Sequence, residues 1–366
     1  MRVLFNQGLS NVHHAIALIH QAMRPGEFHL VASYGTRHTP LRTVADTFLP
    51  EPRTANGDVY LDWLLTCCQQ QGIDLFWPQS RLPLIFAHRQ RFVAKGVQVL
   101  LPCPNADILA IIDDKRRAAE RLSPLGIAFP QWRSFRTVRE FDAALAELGY
   151  PQRSVCIKPA QGLYAQGFRI LDEKRSPFER FMSNEIWRIH PDELRGLLAN
   201  NHRDLEFLAM EYLSGDERSI DCLVSNGQLV CSVTRCKPRA AAGRFEVIED
   251  HPVGQQMAAR ICQAFQLNGL INIQTCDRRL PDAGQQTCFL EVNARMSGGI
   301  NMSCLSGLAL PYWALRLAIG DAIRPPDLPR PRNGLRVTTT HQALALDDGS
   351  DAWLDLENIE PPSAKP

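Results

Sequence analysis

L-I-N-I-Q (270–274) and F-L-E-V-N-A-R (289–295), joined by a segment that contains Pro-Asp-Ala-Gly, read as two strands of a hairpin. Side chains alternate faces along a strand, so Glu291 and Asn293 point the same way. Ile271 and Ile273 face the core, and Asn272 and Gln274 face the other side. One sheet face then carries the oxygen donors Gln274, Glu291 and Asn293, with Arg295 just beyond. Oxygen donors with a single carboxylate suit Mg²⁺ shared with substrate phosphates rather than an all-protein cage. A nucleoside triphosphate is the ligand such a face would hold.

Working back toward the N-terminus, residues 209–213 are an apolar strand carrying Glu211, and Glu217 follows Gly215. Backbone groups of the extended E-Y-L segment can read a base edge, and Glu217 can accept from ribose hydroxyls; an ordinary strand and turn is the plainer reading. Further back, V-C-I-K-P-A-Q-G-L-Y-A-Q-G-F-R-I-L (155–171) is strand, loop and strand. Lys158 lies on the incoming strand, and Gly162 and Gly167 bound a loop whose backbone amides can approach phosphates. Lys115 sits on a charged helix, and residues 141–148 form another helix that Gly149 ends.

The first hundred residues have another rhythm. Strands at 3–5, 29–33, 74–77 and 97–101 alternate with helices at 13–23, 61–71 and 82–94. That spacing gives βαβ units and a parallel sheet, whose ligands bind at the carboxyl ends of the strands. The first loop, 6–11, has one glycine, so a dinucleotide fingerprint is absent. Asn6, Gln7 and Arg81 either touch an acceptor substrate or solvate the loops. His13 and His14 read as helix-start residues rather than metal ligands.

Composition sets the outer limits. The chain has 366 residues, enough for two or three domains. Its 40 Lys+Arg and 39 Asp+Glu give a net charge of +1, no footprint for nucleic acid. No run of about 18 apolar residues marks a membrane span, and the first apolar run is too short for a signal peptide. Eleven cysteines without a C-x-x-C pair read as reduced, packed thiols, so a cytoplasmic setting is expected.

The order of the pieces resembles the ATP-grasp superfamily: a helix lysine, a lysine before a glycine-bounded loop, E-Y-L with Gly-x-Glu, then Gln and Glu-x-Asn-x-Arg. Within it, the sequence is most similar to the ATP-binding halves of the carbamoyl-phosphate synthase large chain and related carboxylate–amine ligases. The resemblance covers about residues 106–346. It implies an α/β plus α+β architecture. A Rossmann-like pre-ATP-grasp unit (1–105) precedes a two-lobed ATP-grasp domain, with a lid lobe at 115–213, a metal lobe at 214–346 and a tail at 347–366.

By resemblance, Lys115 and Lys158 contact ATP phosphates, and Gly162 to Gly167 is the lid. Glu211, Tyr212 and Leu213 line adenine, and Glu217 binds ribose. Gln274, Glu291 and Asn293 bind Mg²⁺ or Mn²⁺, and Arg295 holds the γ-phosphate or acyl phosphate. The implied reaction joins a small-molecule carboxylate to an amine, with release of ADP and phosphate. A homodimer follows from family habit.

Departures exist. The lid carries Leu, Tyr, Ala and Gln between its glycines, and Tyr164 could close over the nucleotide. The usual N-P-R is N-A-R, and M-S-G-G-I-N-M-S follows it. With one ATP-grasp half and no repeat, the chain does not read as a carbamoyl-phosphate synthase. The alternatives are a non-catalytic ATP-binding module and a small-molecule kinase.

For the acceptor, backbone amides of Ser297–Ile300 are candidates to bind a carboxylate. The cations Arg235, Lys237, Arg239 and Arg244 either meet an anionic substrate or lie in a solvated loop. Residues 173–201 are longer than the core fold requires and read as a substrate insertion or a structural lobe. The tail is acidic and then Pro-rich, which reads as ending in disorder.

Overall fold

The computed structural model describes residues 1–8, 11–162, 166–183, 186–201, 203–241, 243–281 and 284–340. Strands β1 (Arg2–Phe5), β2 (His29–Tyr34), β3 (Thr47–Pro50), β4 (Leu75–Trp77) and β5 (Gln98–Val99) form a parallel sheet in the order β3-β2-β1-β4-β5. Their apolar runs are explained by burial on both faces. Val3, Phe5 and Leu30 pack with the helix Val12–Ala22, and Leu4, Val31 and Phe76 pack with the helix Gly57–Gln70. Strand order reverses between β1 and β4, which opens a crevice at their carboxyl ends.

Three sequence expectations need correction here. β3, a short edge strand ending in proline, escaped notice. The helix expected over 82–94 is two, Leu82–Ala87 and Arg89–Val93, broken at His88. The charged helix begins at Lys115, not at Ile112, and a separate helix that went unnoticed, Ala106–Ile112, precedes it. Asp114 sets the start at Lys115, because its Oδ1 accepts from Arg117 N–H at 3.0 Å.

The second sheet comprises β6 (Trp132–Phe135), β7 (Val155–Pro159), β8 (Arg169–Leu171), β9 (Arg188–Ile189) and β10 (Phe207–Glu211), in the order β6-β10-β7-β8-β9. The 173–201 segment supplies the edge strand β9 and the helix Pro191–Ala199. Leu194 and Leu198 of that helix join Phe141 and Val155 in the core. It also exposes Phe178 and Phe181 on a short helix, Pro177–Phe181.

The third sheet is antiparallel: β11 (Glu217–Ser225), β12 (Gln228–Lys237), β13 (Glu246–Glu249), β14 (Gly269–Arg279), β15 (Gln285–Asn293) and β16 (Arg336–Val337). Their order is β15-β14-β11-β12-β13-β16. Ile220, Cys222, Ile271 and Ile273 face the helix Pro252–Phe265, and the alternate residues face the opposite side. The hairpin expected from L-I-N-I-Q and F-L-E-V-N is β14–β15. All eleven cysteines are free thiols, ten of them buried. Among the described residues, no helix is long and apolar enough to cross a membrane.

Candidate functional site

Register assembles the donors. Gln274 on β14 lies opposite Glu291 on β15, and Asn272 lies opposite Asn293. The register slips between Gln274 and Thr275, so Leu290 is an extra residue on β15. This bulge lets Phe289 and Val292 both reach the core while Glu291 and Asn293 stay on the polar face. Asn293 Nδ2 donates to Glu291 Oε1 at 3.3 Å and to Asn272 Oδ1 at 3.5 Å. Arg295 Nη2 donates to Asn293 Oδ1 at 3.1 Å, and its Nη1 donates to Met296 O at 3.0 Å.

The two lysines come from outside the hairpin: Lys115 starts the helix Lys115–Leu122, whose Ala118 and Leu122 join the core of the third sheet, and Lys158 lies on β7 of the second sheet. Lys115 N–H bonds Ala160 O at 3.1 Å, which ties the start of its helix to the exit of β7. A bridge between Asp114 and Gln161 strengthens that tie. Lys115 Nζ lies 3.8 Å from Glu291 Oε2 and donates to Gly162 O at 3.1 Å. Burial pulls the Lys158 ammonium below the usual lysine range. Glu291 opposes that pull, Lys115 reinforces it, and Glu217 opposes it more weakly. Lys158 therefore shares one electrostatic neighbourhood with Lys115, Glu291 and Glu217. A desolvated cation beside a second cation is a poor arrangement for an isolated fold and a good one for receiving a polyanion.

Gly167 has φ +70°, and a Cβ there would stand 2.9 Å from the Pro159 ring. The return from the loop to β8 therefore requires glycine. The middle of that expected lid, 163–165, including Tyr164, lies outside the described residues, as does the tail from 341.

The nucleotide side needs finer reading. The Glu211 carboxylate is not offered to a base. Arg278 grips it with Nε at 2.9 Å and Nη2 at 2.7 Å, and Gln131 N–H adds a third bond at 3.1 Å. Burial pushes this carboxyl up, yet the Arg278 fork and the Gln131 amide outweigh it and hold its pKa below the ordinary value. Glu211 thus bolts β10 to β14, and what it can present to a base is backbone. The amides of Glu211 and Tyr212 bond Gln131 O and Ser154 O. Leu213 is buried just beyond β10. The Tyr212 ring carries the Arg239 guanidinium 5.0 Å from its centroid, and its hydroxyl accepts from Arg239. Glu217 pairs with Lys237 across β11–β12 while remaining part-exposed. Gly215 fits because a Cβ would stand 2.4 Å from Asp277 O.

The acceptor expectations for Asn6 and Arg235 are overturned. Asn6 is fully buried. It donates to Tyr60 Oη at 2.9 Å and Ser80 Oγ at 3.2 Å, and it accepts from Gln79 N–H at 2.7 Å. It latches the loops after β1 and β4 instead of facing a ligand. Gln7 Oε1 accepts from Gly35 N–H at 2.8 Å, and Arg81 lies 4.1 Å over the Tyr60 ring. Arg235 is 2% exposed and belongs to the sheet, not to a solvated loop. Ile300 N–H bonds Ser297 O at 3.3 Å, which leaves the amides before it as the candidate cradle.

The crevice of the first sheet meets the third. Asn11 Nδ2 donates to Gly298 O, and a small pocket lies between Pro78, Gln79, Asn268, Arg295 and Met296. The loop after Arg295 is therefore shared by both units. Among the described residues, no three His, Cys, Asp or Glu side chains cluster as a metal site. The Gln274–Glu291–Asn293 set is the alternative. Hard oxygen donors with one carboxylate, flanked by lysines, fit a divalent cation that also carries phosphate oxygens.

The sequence profile of a family described as "ATP-grasp in the biosynthetic pathway with Ter operon" matches residues 203–343. No curated protein matches the chain in sequence. Among solved structures, N5-carboxyaminoimidazole synthetase from Staphylococcus aureus aligns with TM-score 0.62 at 13% identity, covering 88% of this chain and 78% of its own. The biotin carboxylase domain of the Hydrogenobacter thermophilus 2-oxoglutarate carboxylase, in complex with MgADP, ADP and bicarbonate, aligns with TM-score 0.61 at 17% identity, covering 89% and 73%. An L-amino acid ligase from Bacillus licheniformis aligns with TM-score 0.59 at 13% identity, covering 89% and 75%. Profile and fold point the same way: residues 203–343 match an ATP-grasp family model, and the chain shares the fold of these solved structures.

Proposed function

We propose that this chain is an ATP-dependent ligase that activates a carboxylate as an acyl phosphate and joins it to an amine. The observation that carries this reading is the meeting of Lys115 with Glu291 at 3.8 Å, beside Asn293 and Arg295. This sets a cation beside the oxygen donors, the arrangement that a triphosphate and its divalent cation would fill. In this reading residues 1–105 are the pre-ATP-grasp unit and 106–346 the ATP-grasp domain.

Lys115 and Lys158 hold the phosphates, and their desolvated charges are satisfied when ATP enters. Backbone groups around Glu211–Leu213 meet adenine, and Glu217 meets ribose by releasing Lys237. Mg²⁺ or Mn²⁺, when bound by Gln274, Glu291 and Asn293, supplies charge neutralisation on the phosphate oxygens. Arg295, which donates to Asn293 Oδ1 beside these donors, would hold the transferred phosphoryl group. The carboxylate oxygen attacks the γ-phosphorus and ADP leaves. The amine nitrogen then attacks the acyl carbon, phosphate leaves and the amine loses a proton. The protein contributes position and electrostatics rather than a nucleophile. The acceptor carboxylate lies in the crevice shared by the first sheet and the loop 296–299. The chain assembles as a homodimer.

Calorimetry with MgATP on the wild type and on Glu291→Ala tests the site, because the substitution removes its only carboxylate. Micromolar binding that disappears in the variant supports it; unaltered binding refutes it. A panel of carboxylate–amine pairs then decides the reaction. ADP with free phosphate marks the ligase, whereas ADP with a stable phosphorylated product marks a kinase.

A further inference from the structure

Register extends the candidate site inward across the third sheet. Glu291, Gln274, Ser219 and Arg235 are successive cross-strand partners on β15, β14, β11 and β12. Asn293, Asn272 and Asp221 form the next row. Both rows share one face, so the metal donors at the sheet edge continue into a buried polar cluster centred on Arg235.

That cluster is densely bonded. Arg235 Nε donates to Ser303 Oγ at 2.7 Å, and its Nη2 donates to Ser219 Oγ at 3.0 Å and Ser297 Oγ at 3.2 Å. Its Nη1 is paired with Glu246. Asp221, wholly buried, accepts from Ser297 at 3.0 Å, from Asn272 at 3.0 Å and from Ser303. A Cβ on Gly299 would lie 2.6 Å from Arg235 Nη1, so the loop backbone rests directly on the guanidinium. Ser297 and Ser303 flank the S-G-G-I turn that follows Arg295, and the same fork clasps both.

We infer that Arg235 is a positioning residue for the acceptor carboxylate. It clamps the loop 297–303 to the sheet, so that the amides before Ile300 stand at a fixed place beside Arg295. This rests on the proposed ligase reading. A guanidinium does this and an ammonium cannot, because Nε meets Ser303, Nη2 meets Ser219 and Ser297, and Nη1 meets Glu246, three nitrogens held in one plane. Asn272 links the cluster to Asn293, so the clamp and the outermost metal donor share a support.

The test compares full-length wild type, Arg235→Lys and Arg235→Met by three measurements. These are MgATP calorimetry, peptide-level hydrogen exchange over 296–304, and steady-state kinetics with whichever carboxylate–amine pair the wild type turns over. Expected for both variants are MgATP Kd within threefold of wild type and exchange in 296–304 at least tenfold faster. The carboxylate KM should rise at least tenfold, with the ATP KM within threefold. A purely structural role would speed exchange throughout β11–β15 and move both KM values together, which overturns the inference. So does Arg235→Lys with wild-type loop exchange and carboxylate KM. Wild type that fails to bind MgATP refutes the ligase reading itself, whatever the loop does. If Arg235→Met does not fold, Arg235→Lys still decides.

Discussion

Lys158→Ala separates binding from folding, because the two should respond in opposite senses. Lys158 stands on β7 opposite Leu208, in a place where burial and Lys115 both disfavour its charge and only Glu291, Cys156 and Glu217 favour it. Its folded pKa lies below its unfolded one, so the fold binds the proton less tightly than the unfolded chain does. The protonated side chain therefore destabilises the fold at neutral pH, and its removal should leave Tm unchanged or higher. A triphosphate reverses the balance. Two unit charges at about 4 Å interact by roughly 4 kcal/mol at an effective dielectric near 20. Truncating one partner of a desolvated charged contact costs about 2–5 kcal/mol. Taking ~2–4 kcal/mol, MgATP Kd should rise about 30- to 1,000-fold. Calorimetry reads the affinity and scanning calorimetry reads Tm on the same protein. A Kd change under threefold, or a Tm loss of many degrees with weak binding, would refute the reasoning. The first outcome would mean that Lys158 is not at the phosphates, and the second that it is a structural residue.

Further outcomes follow from other residues. Arg278→Met leaves the Glu211 carboxylate with only Gln131 N–H. A loss of about 1–3 kcal/mol in denaturant unfolding is expected, and an unchanged midpoint would contradict the bolt between β10 and β14. Gly167→Ala combines a left-handed φ with a Cβ 2.9 Å from Pro159. Limited proteolysis should then cut 162–167 faster, with a stability loss of about 1–3 kcal/mol. His13 has its pKa lowered to about 4, by burial first and His14 second, so it folds neutral. Its contribution is present above about pH 6.5 and is lost as pH falls toward 4. The wild-type Tm should therefore drop more between these pH values than that of His13→Asn, and equal drops would remove His13 as the cause.

The sheet of the first unit is legible in the sequence because its period is short and its breaks are marked by glycine. β3 is the exception, since T-F-L-P has neither the length nor the alternation of a strand. The start of the charged helix at Lys115 was not legible, because a capping aspartate looks like any other charge until its side chain is seen accepting from Arg117 N–H. The hairpin of β14 and β15 was legible as donors sharing a face, and the structure sets Lys115, at the start of its helix, against Glu291. Alternation alone could not supply the bulge at Leu290, which reconciles a core Phe289 with a core Val292.

Glu211 and Arg235 show why the remaining residues were not legible. Both are charges within strand-like runs, and both look available from sequence. The partner that commits Glu211 is Arg278, 67 residues later on another sheet. The partners that commit Arg235 come from three separate segments: Ser219 of β11, Glu246 of β13, and Ser297 and Ser303 after Arg295. Spacing rules reach a few residues along one element, whereas these commitments are set by tertiary register. For Arg235 a faint signal was present. It follows Val233 and Thr234 and precedes Cys236, in a stretch too apolar for a solvated loop. A charged residue in such a stretch must carry its own hydrogen-bond shell into the core. The S-G-G turn after Arg295, with serines at 297 and 303, is that shell. The loop 297–303 and the buried arginine are thus two halves of one hydrogen-bonded unit.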